Sequence, residues 1–438
     1  MRMNTNLDRV AISILKKNDR GGYSVPTAGL YPYQWNWDSA FAALGYAAFD
    51  RDRAWRELES LFAAQWEDGF TPHIVFHVDD PGYFPGPSEW RTGRNPQTSG
   101  ITQPPVAASV ARWLWESGDG SDRDRLERLF PRLLAWRRWF ARYRDPLKNG
   151  LALATHPWET GRDNSPEWDA PAAQIDISAV GSYERRDTSF VNHDMRPLKE
   201  DYHRYVAILQ FGREHRWNHS VIAEFGPFRV IDVGMSMIQL RATRDLLSLA
   251  TILGRQDEAD ELRALVGLGE AGVGYLWDDG IGAYCSRDLA TGASSGVITS
   301  ASFLAFYAGV GNADEHSRLI AHLRRIGKRV RFLAPSCDPE HAAFDPRRYW
   351  RGPAWVVLNF MIGLGLAEQD HADCALRIKE DTRALIEKSG FFEAYCPLTG
   401  NGVGAGDFSW TAAMWLHWAR SAQVRNRDAV TARKRNSF

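Results

Sequence analysis

The segment from residue 156 to residue 169 holds the densest group of chemically active side chains. It places four carboxylates beside two tryptophans in a stretch interrupted by proline and glycine. Burial beside an indole disfavours the charged form of a carboxylic acid and raises its pKa, as a general acid for glycoside cleavage requires at neutral pH. Asp163 is the candidate for this role, although it could also be an ordinary turn carboxylate. The acids are Glu159, Asp163, Glu167 and Asp169, and the tryptophans are Trp158 and Trp168.

A second acid, Glu393, lies in an apolar and aromatic run between Gly390 and Gly400. A carboxylate in such surroundings is costly unless it has a partner or a chemical task. Glycoside hydrolysis uses two acids, which stand about 6.5–9.5 Å apart in inverting enzymes and about 5–5.5 Å apart in retaining enzymes. Because residue types do not determine this distance, Asp163 and Glu393 are compatible with both stereochemical outcomes.

Three further stretches have the composition of a sugar-binding wall. The first and third combine aromatic rings, which pack against the C–H faces of sugars, with a side chain that can hydrogen-bond to hydroxyl groups, and the second supplies such a side chain beside two prolines. Each also leads into a predicted helix, as loops at the mouth of a helical barrel do. Asp38 is also compatible with an acid in the first turn of a helix. The predicted wall residues are Tyr31, Trp35, Trp37 and Asp38 in the first stretch, Gln103 in the second, and Trp350, Arg351 and Trp355 in the third.

Motifs for a metal ion or a nucleotide are not convincing. His73 and His77 have the spacing of zinc ligands on a helix, but the residues between them are apolar and an acidic partner is missing. The alternating glycines from 400 to 406 do not match a phosphate-binding loop, and we interpret them as a flexible loop at the rim of the site. We therefore expect an enzyme without a metal ion or another cofactor.

Apolar residues recur at three- and four-residue spacing along most of the chain, which indicates about thirteen helical segments and few strands. Twelve helices in two concentric rings account for this pattern, with one extra helix at the N-terminus. A helical-repeat solenoid would show a period of about 34–45 residues, and we find none. We predict an all-α (α/α)6 barrel, a single domain over residues 1–438. The long segments 71–102 and 153–197 are predicted active-site loops, and 425–438 a flexible tail.

Several helix ends are also predictable. Asp232, Asp314 and Ser409 have the residue types and positions of N-caps. Gly390 follows a predicted helix and should end it, because glycine readily adopts the backbone conformation that terminates helices.

The net charge and the cysteines restrict the partners and the compartment. The chain has 438 residues and a formal net charge of -1, from 53 Lys and Arg against 54 Asp and Glu, which gives no general attraction to nucleic acid or membranes. The four cysteines lack a CxxC spacing and are predicted to be reduced thiols. The N-terminus lacks the apolar core of a signal peptide, and no run approaches the roughly 18 apolar residues of a membrane span. We expect a cytoplasmic enzyme for a small-molecule glycoside, and a homo-oligomer is compatible with the sequence.

Five motifs, in order along the chain, resemble those of glycoside hydrolase family 63. This family belongs to the trehalase-like group of (α/α)6 enzymes, and the similarity extends from about Leu30 to Trp418. The closest resemblance is to the bacterial mannosylglycerate and glucosylglycerate hydrolases of this family. The motifs are Tyr-Pro…Trp-x-Trp-Asp at 31–38, Ile-Thr-Gln-Pro-Pro at 101–105, Trp-Glu-Thr-Gly-Arg-Asp-Asn-Ser-Pro at 158–166, Tyr-Trp-Arg-Gly-Pro at 349–353 and Ser-Trp-Thr-Ala-Ala at 409–413.

The resemblance implies roles for both acids. In the family, the aspartate of the Trp-Glu-[Ser/Thr]-Gly-x-Asp motif is the general acid, which corresponds to Asp163. The glutamate before a Pro-x-Thr-Gly turn is the general base, which corresponds to Glu393. The family inverts the anomeric configuration, so the resemblance implies the inverting alternative.

The resemblance also implies residues that hold the aglycone. Glycerate-releasing members use a tyrosine in a Gly-Tyr-Phe-Pro-Gly-Pro loop and an Arg-Pro…Tyr pair, which correspond to Tyr83, Arg196 and Tyr202. An arginine with two phenols suits a small carboxylate. The chain departs from the family at Asp407-Phe408, where an amide side chain that reaches the ligand is expected.

Two hydrolase functions remain after this comparison. The first is release of glucose or mannose from a small anionic glycoside such as glucosylglycerate or mannosylglycerate. The second is an α-glucosidase for disaccharides or short oligosaccharides, for which Arg196 would be dispensable. A sugar 2-epimerase would require histidines at the site, and a non-catalytic sugar-binding protein would not need both Asp163 and Glu393.

Overall fold

The computed structural model describes residues 6–420, and the predicted tail at 425–438 lies outside them. Within this range, twelve helices form the two concentric rings of an (α/α)6 barrel. Inner and outer helices alternate along the chain, beginning with an outer one. The twelve are α1 (Asn6–Asn18), α2 (Asn36–Tyr46), α3 (Arg51–Ala63), α4 (Ala107–Glu116), α5 (Arg123–Tyr143), α6 (Val233–Leu253), α7 (Gln256–Gly272), α8 (Leu304–Ala308), α9 (Ala313–Ile326), α10 (Val356–Glu368), α11 (Ala372–Ser389) and α12 (Ser409–Met414).

The inner ring consists of the even-numbered helices, and each packs against the next. The ring closes where α12 contacts α2, while α1 covers α12 from outside. Every residue of α2 and α12 is buried, and α10 is apolar on almost all sides, as expected for helices enclosed by others. The outer helix α9 buries only one stripe, which includes Leu319, Leu323 and Ile326. The predicted N-terminal helix is therefore not an extra element, because it completes the outer ring.

The predicted helix ends are partly confirmed. Asp232 caps α6 by accepting a hydrogen bond from the N–H of Met235, and Gly390 follows α11 with a positive φ of 80°. Asp314 is not an N-cap, because the side chain of Asn312 accepts from the first N–H groups of α9 instead. Ser409 is the first residue of α12, and its hydroxyl donates to a backbone carbonyl rather than capping the helix.

The connections at one end of the barrel contain short strands and extra helices, most of which the periodicity did not predict. In the described part of the chain the strands form four small antiparallel sheets. The extra helices are Pro87–Trp90, Asp169–Ala173, Asp187–Phe190, Lys199–Glu214 and His219–Phe225. Only the fourth has a helical periodicity in the sequence, from Tyr202 to His215. The strands are β1 (Gln34–Trp35), β2 (Ile74–Phe76), β3 (Gln97–Thr98), β4 (Leu153–Ala154), β5 (Val230–Ile231), β6 (Trp277–Asp278), β7 (Ala283–Tyr284), β8 (Arg287–Asp288), β9 (Ala394–Tyr395) and β10 (Gly402–Val403).

The apolar side chains of both rings and of these connections form a continuous core from Ala11 to Ala419. None of the helices within residues 6–420 is both long enough and apolar enough to cross a lipid bilayer.

Candidate active site

A cavity opens at the end of the barrel where the inner helices begin, with about 910 Å³ of free space when the solvent at its mouth is included. Its wall residues lie shortly before, or in the first turn of, α2, α4, α10 and α12. The rest of the wall comes from the segments 71–102 and 153–197, with Tyr202 and Glu393 in addition. The predicted site residues that line it are Tyr31, Trp35, Trp37, Asp38, Tyr83, Gln103, Asp163, Arg196, Tyr202, Trp350 and Glu393.

Asp163 lies in a turn whose preceding residue is anchored in the core. The guanidinium of Arg162 is buried and donates to Asp232 at 2.6 Å. It also forms an ion pair with the buried carboxylate of Glu167. Because Asp232 caps the inner helix α6, this contact ties the turn to the barrel itself.

Contacts on the other side of the turn complete its positioning. The side-chain oxygen of Asn164 accepts a hydrogen bond from the N–H of Trp350 at 2.9 Å. Gly161 has a φ of 68°, and a Cβ at this position would lie 2.5 Å from the indole of Trp37. Only glycine combines this backbone conformation with so close a ring. The Gly-Arg-Asp-Asn sequence therefore holds the Asp163 carboxyl at the cavity wall.

The electrostatic surroundings of Asp163 suit a proton donor. Burial raises its pKa to about 7, against a lowering effect of the nearby Arg196 guanidinium and a further raising effect of the Glu393 charge. A carboxyl group with this pKa is substantially protonated at neutral pH, which a general acid requires.

Glu393 directly precedes β9, which pairs with β10 in a small antiparallel hairpin. Gly404 has a φ of 78°, and a Cβ at this position would lie 2.2 Å from Oε2 of Glu393. The N–H of Ala405 donates to this Oε2 at 3.3 Å. The alternating glycines are thus part of a hairpin that leaves room for the Glu393 carboxylate, and the interpretation as a flexible rim loop is wrong.

Arg196 forms an ion pair with Glu393, and its side chain is buried. Its Nε donates to Asp187 at 2.9 Å and its Nη2 donates to the hydroxyl of Tyr31 at 2.8 Å. Its Nη1 lies 3.4 and 3.3 Å from the two oxygens of Glu393. The ring of Tyr349 packs against the guanidinium with 4.1 Å between Cζ and the ring centroid. The guanidinium is therefore held on several sides.

Asp38 is a third carboxyl group of the cavity, at the start of α2. Burial raises its pKa well above the usual range, and the charges of Glu393 and Asp163 raise it further. Three acids in one cavity cannot all ionise easily, because like charges at short range disfavour each other. Burial and the two neighbouring charges therefore favour the neutral form of Asp38, which can donate a hydrogen bond to a ligand hydroxyl.

An aromatic wall lies beside these acids. The rings of Trp350 and Trp410 lie 6.2 and 5.9 Å from that of Trp37. Gln103 accepts a hydrogen bond from the backbone N–H of Trp37 at 3.2 Å, which fixes the amide next to this wall. Flat rings with an adjacent amide can bind the C–H face and the hydroxyl groups of one sugar ring.

Two phenols form the outer part of the cavity. The ring of Tyr83 packs edge-on against Tyr33 and Trp35, at centroid distances of 5.2 and 5.8 Å. The hydroxyl of Tyr202 donates to the carbonyl of Phe84 at 3.3 Å, which links the segment 71–102 to the helix Lys199–Glu214. Both predicted tyrosines therefore line the same cavity as Arg196.

Two predicted wall residues do not line the cavity. Arg351 forms an ion pair with Asp169 and lines a neighbouring surface groove, because the turn at 349–351 directs it away from Trp350. Trp355 is buried behind Trp350, with parallel rings 3.8 Å apart. It supports the aromatic wall without reaching the cavity.

Two of the four acids in the segment 156–169 are buried and have structural partners in the core. Glu159 accepts from Arg144 at 2.9 Å and from the N–H of Thr155 at 2.7 Å. Glu167 accepts from the hydroxyl of Ser286 at 2.7 Å in addition to its ion pair with Arg162. Such buried acids are costly to leave unpaired, so these contacts explain their presence.

His73 and His77 do not form a metal site. They flank β2 rather than lying on a helix, so roughly 13 Å of extended backbone separates the two residues, too far for both to bind one ion. His73 lines the cavity and contacts the hydroxyl of Ser99 at 2.7 Å, whereas His77 contacts Gln34 at 2.8 Å. Within residues 6–420, no group of three or more His, Cys, Asp or Glu side chains is arranged to hold a metal ion.

Several cavity residues were not predicted as ligands. The aromatic ones lie within or next to motifs already singled out, and proximity to those motifs was the available signal. No sequence feature indicated Asp187 as a cavity residue, because it is an isolated acid in an irregular segment. These residues are His73, Trp158, Asp187, Tyr349, Phe408 and Trp410.

The family profile described as the mannosylglycerate hydrolase MGH1-like glycoside hydrolase domain matches residues 31–411. The chain belongs to this family. The matched range includes both acids, Arg196 and the whole aromatic wall. This member of the MGH1-like family is therefore a glycoside hydrolase built on an (α/α)6 barrel.

Individual relatives support this assignment over nearly the full chain. A mannosylglycerate hydrolase of Thermus thermophilus is 46% identical, over 94% of this chain and 100% of the relative. The glucosylglycerate hydrolase of Mycolicibacterium hassiacum is 33% identical, over 94% and 98% of the two chains. A crystal structure of a GH63 mannosylglycerate hydrolase from Thermus thermophilus, in complex with Tris and D-glycerate, superposes with a TM-score of 0.91 at 46% identity, over 94% of this chain and all of that one.

Proposed function

We propose that this glycoside hydrolase releases mannose or glucose from α-glycosides of glycerate, with inversion at the anomeric carbon. The observation that carries the proposal is the position of Arg196, a buried guanidinium in the same cavity as Asp163 and Glu393. A buried cation beside two carboxyl groups suits a substrate with its own carboxylate. The names of the relatives, mannosylglycerate hydrolase and glucosylglycerate hydrolase, agree with such a substrate.

In the proposed mechanism Asp163 protonates the glycosidic oxygen while Glu393 removes a proton from water on the opposite face of the sugar. Both steps pass through one oxocarbenium-like transition state, and the released sugar has the β configuration. The raised pKa of Asp163 supports its part as the acid. Asp38, Gln103 and the aromatic wall would hold the sugar ring.

The aglycone side is proposed to consist of Arg196, Tyr83 and Tyr202. A guanidinium and two phenols can bind the carboxylate and the hydroxyl groups of glycerate. The chain differs from the family at Asp407-Phe408, and this difference affects the aglycone side of the cavity. The Asp407 carboxylate pairs with Lys17 at 2.7 Å on the surface, and Phe408 lines the cavity. This apolar ring favours the second candidate, an α-glucosidase with an uncharged aglycone.

Proton NMR of the reaction separates these candidates. We expect the enzyme to release the β-anomer first from mannosylglycerate, glucosylglycerate or both, and to leave trehalose and kojibiose intact. Release of the β-anomer only from a disaccharide would indicate that the natural aglycone is neutral and is not glycerate. Initial release of the α-anomer would contradict the inverting mechanism.

The pH dependence of kcat/KM should report the ionisation of Asp163. This parameter reports ionisations of the free enzyme, in which the pKa of Asp163 is about 7. Because the acid must carry its proton, kcat/KM should be maximal below this pH and fall about tenfold per pH unit well above it. Initial rates with mannosylglycerate from pH 5 to pH 9 would measure this limb. A flat profile between pH 6 and pH 9 would contradict the assignment.

We further propose that the enzyme acts in the cytoplasm on a small molecule and not on nucleic acid. The near-zero formal charge supports this, as do the four free cysteines, three of which are buried. The oligomeric state remains a prediction that light scattering can test.

A further inference from the structure

The carboxylate of Glu393 is fully occupied in the ligand-free protein. Oε1 accepts from the Tyr31 hydroxyl at 3.0 Å and faces Nη1 of Arg196 at 3.4 Å. Oε2 accepts from the N–H of Ala405 at 3.3 Å and faces the same Nη1 at 3.3 Å. An ionised carboxylate offers about four lone-pair sites, and each of these four contacts takes one.

A general base cannot act in this state. To take a proton from water, Glu393 needs a free lone pair directed at that water. One of its four contacts must therefore be lost before the reaction. The contact from Ala405 is fixed by the hairpin backbone, and Tyr31 is fixed by its own hydrogen bond from Arg196. The Nη1 group of Arg196 is the remaining candidate.

The geometry of Arg196 fits such an exchange. Its Nε and Nη2 make shorter hydrogen bonds, at 2.9 Å to Asp187 and 2.8 Å to Tyr31. Its Nη1 contacts Glu393 only at 3.3 and 3.4 Å, longer than the roughly 2.7–2.9 Å usual for bonds between a guanidinium and a carboxylate. A second carboxylate in the cavity can therefore compete for Nη1 without disturbing the other two bonds.

We propose that Arg196 couples the charge of the aglycone to the availability of the base. In the free enzyme Nη1 blocks Glu393, and the carboxylate of the bound substrate takes over Nη1 and releases Glu393 to accept a proton from water. Asp187 holds Nε throughout and so keeps the guanidinium between the two carboxylates. The inference rests on the proposed function, because it requires a substrate with an anionic aglycone.

This coupling predicts selectivity in kcat as well as in KM. A binding pocket for a carboxylate that acted on binding alone would change KM and leave kcat the same. If the substrate carboxylate also frees the base, an uncharged substrate is bound with Glu393 still blocked, and its kcat is low even at saturation.

The test compares α-mannosylglycerate with α-mannosylglycerol, in which a hydroxymethyl group replaces the carboxylate. With the wild-type enzyme we expect kcat to be at least about tenfold higher for the glycerate glycoside, the effect of one charge-assisted hydrogen bond. Arg196→Met should raise kcat for the glycerol glycoside towards the wild-type value for the glycerate glycoside, because nothing then blocks Glu393. A merely structural role of Arg196 would lower both values instead.

Arg351→Met is the matched control, because it removes an arginine whose partner, Asp169, lies outside the cavity. It should preserve the ratio of the two wild-type kcat values. Equal kcat for both substrates with the wild-type enzyme, with a difference in KM only, would overturn the coupling but not the proposed function. Hydrolysis of disaccharides without any activity on mannosylglycerate or glucosylglycerate would overturn the proposed function itself.

Discussion

Asp163→Asn should lower kcat with mannosylglycerate by about 10²–10⁴-fold, the usual contribution of a positioned general acid. The asparagine keeps the size of the side chain but has no proton to give to the departing glycerate. The loss should be much smaller with a 2,4-dinitrophenyl α-glycoside that the enzyme accepts, because this leaving group departs without protonation. The falling limb of kcat/KM above pH 7 should also disappear with that substrate. Steady-state kinetics on both substrates would measure these effects.

Asp169→Asn is the matched control for this prediction. Asp169 lies in the same segment, but its side chain is exposed and pairs with Arg351 outside the cavity. We expect it to keep wild-type kcat within a small factor. An equal loss of kcat on both substrates in Asp163→Asn would indicate that Asp163 positions the substrate and does not protonate it.

The ring architecture was predictable because helices have a local signature. Apolar residues at three- and four-residue spacing indicate helices without knowledge of their neighbours, and a regular series of them leaves few ways to bury every apolar face. The cavity wall was largely predictable for a related reason. Aromatic and polar residues before an inner helix gather at one end of the barrel, which brings Trp37, Gln103 and Trp350 together.

Side-chain direction was less predictable. Trp350 and Arg351 are adjacent in the sequence, but the turn that contains them directs one into the cavity and the other towards Asp169. Trp355 precedes an inner helix like the other wall residues, yet it stacks behind Trp350. No periodicity governs an irregular loop, so composition locates the wall without saying which rings face the ligand.

The contacts around Glu393 were the least predictable feature of the site. Tyr31, Arg196 and Glu393 are separated by 165 and 197 positions, and their hydrogen bonds depend on how the barrel closes. Asp187 is recognisable as the anchor of Arg196 only once the irregular segment is seen folded. The resemblance named Arg196 and Glu393, and the structure supplied the contacts of the Arg196 guanidinium with Glu393, Tyr31 and Asp187.

Glu393→Gln should lower kcat to a similar extent, by about 10²–10⁴-fold, because an amide cannot accept a proton from water. Azide should restore turnover, since it is a nucleophile that needs no base. It would attack the anomeric carbon from the face of the missing carboxylate, while Asp163 protonates the departing glycerate. The expected product is the β-glycosyl azide, identifiable by proton NMR together with the rate of glycerate release.

The azide experiment distinguishes the two acids. Wild-type enzyme should form little azide product, because Glu393 supplies activated water and its negative charge repels an anion. Asp163→Asn should not be rescued by azide on mannosylglycerate, because its leaving group still lacks a proton. Formation of the α-glycosyl azide by Glu393→Gln would instead place attack on the face of the leaving group. Such a product would assign the role of base to a different side chain of the cavity.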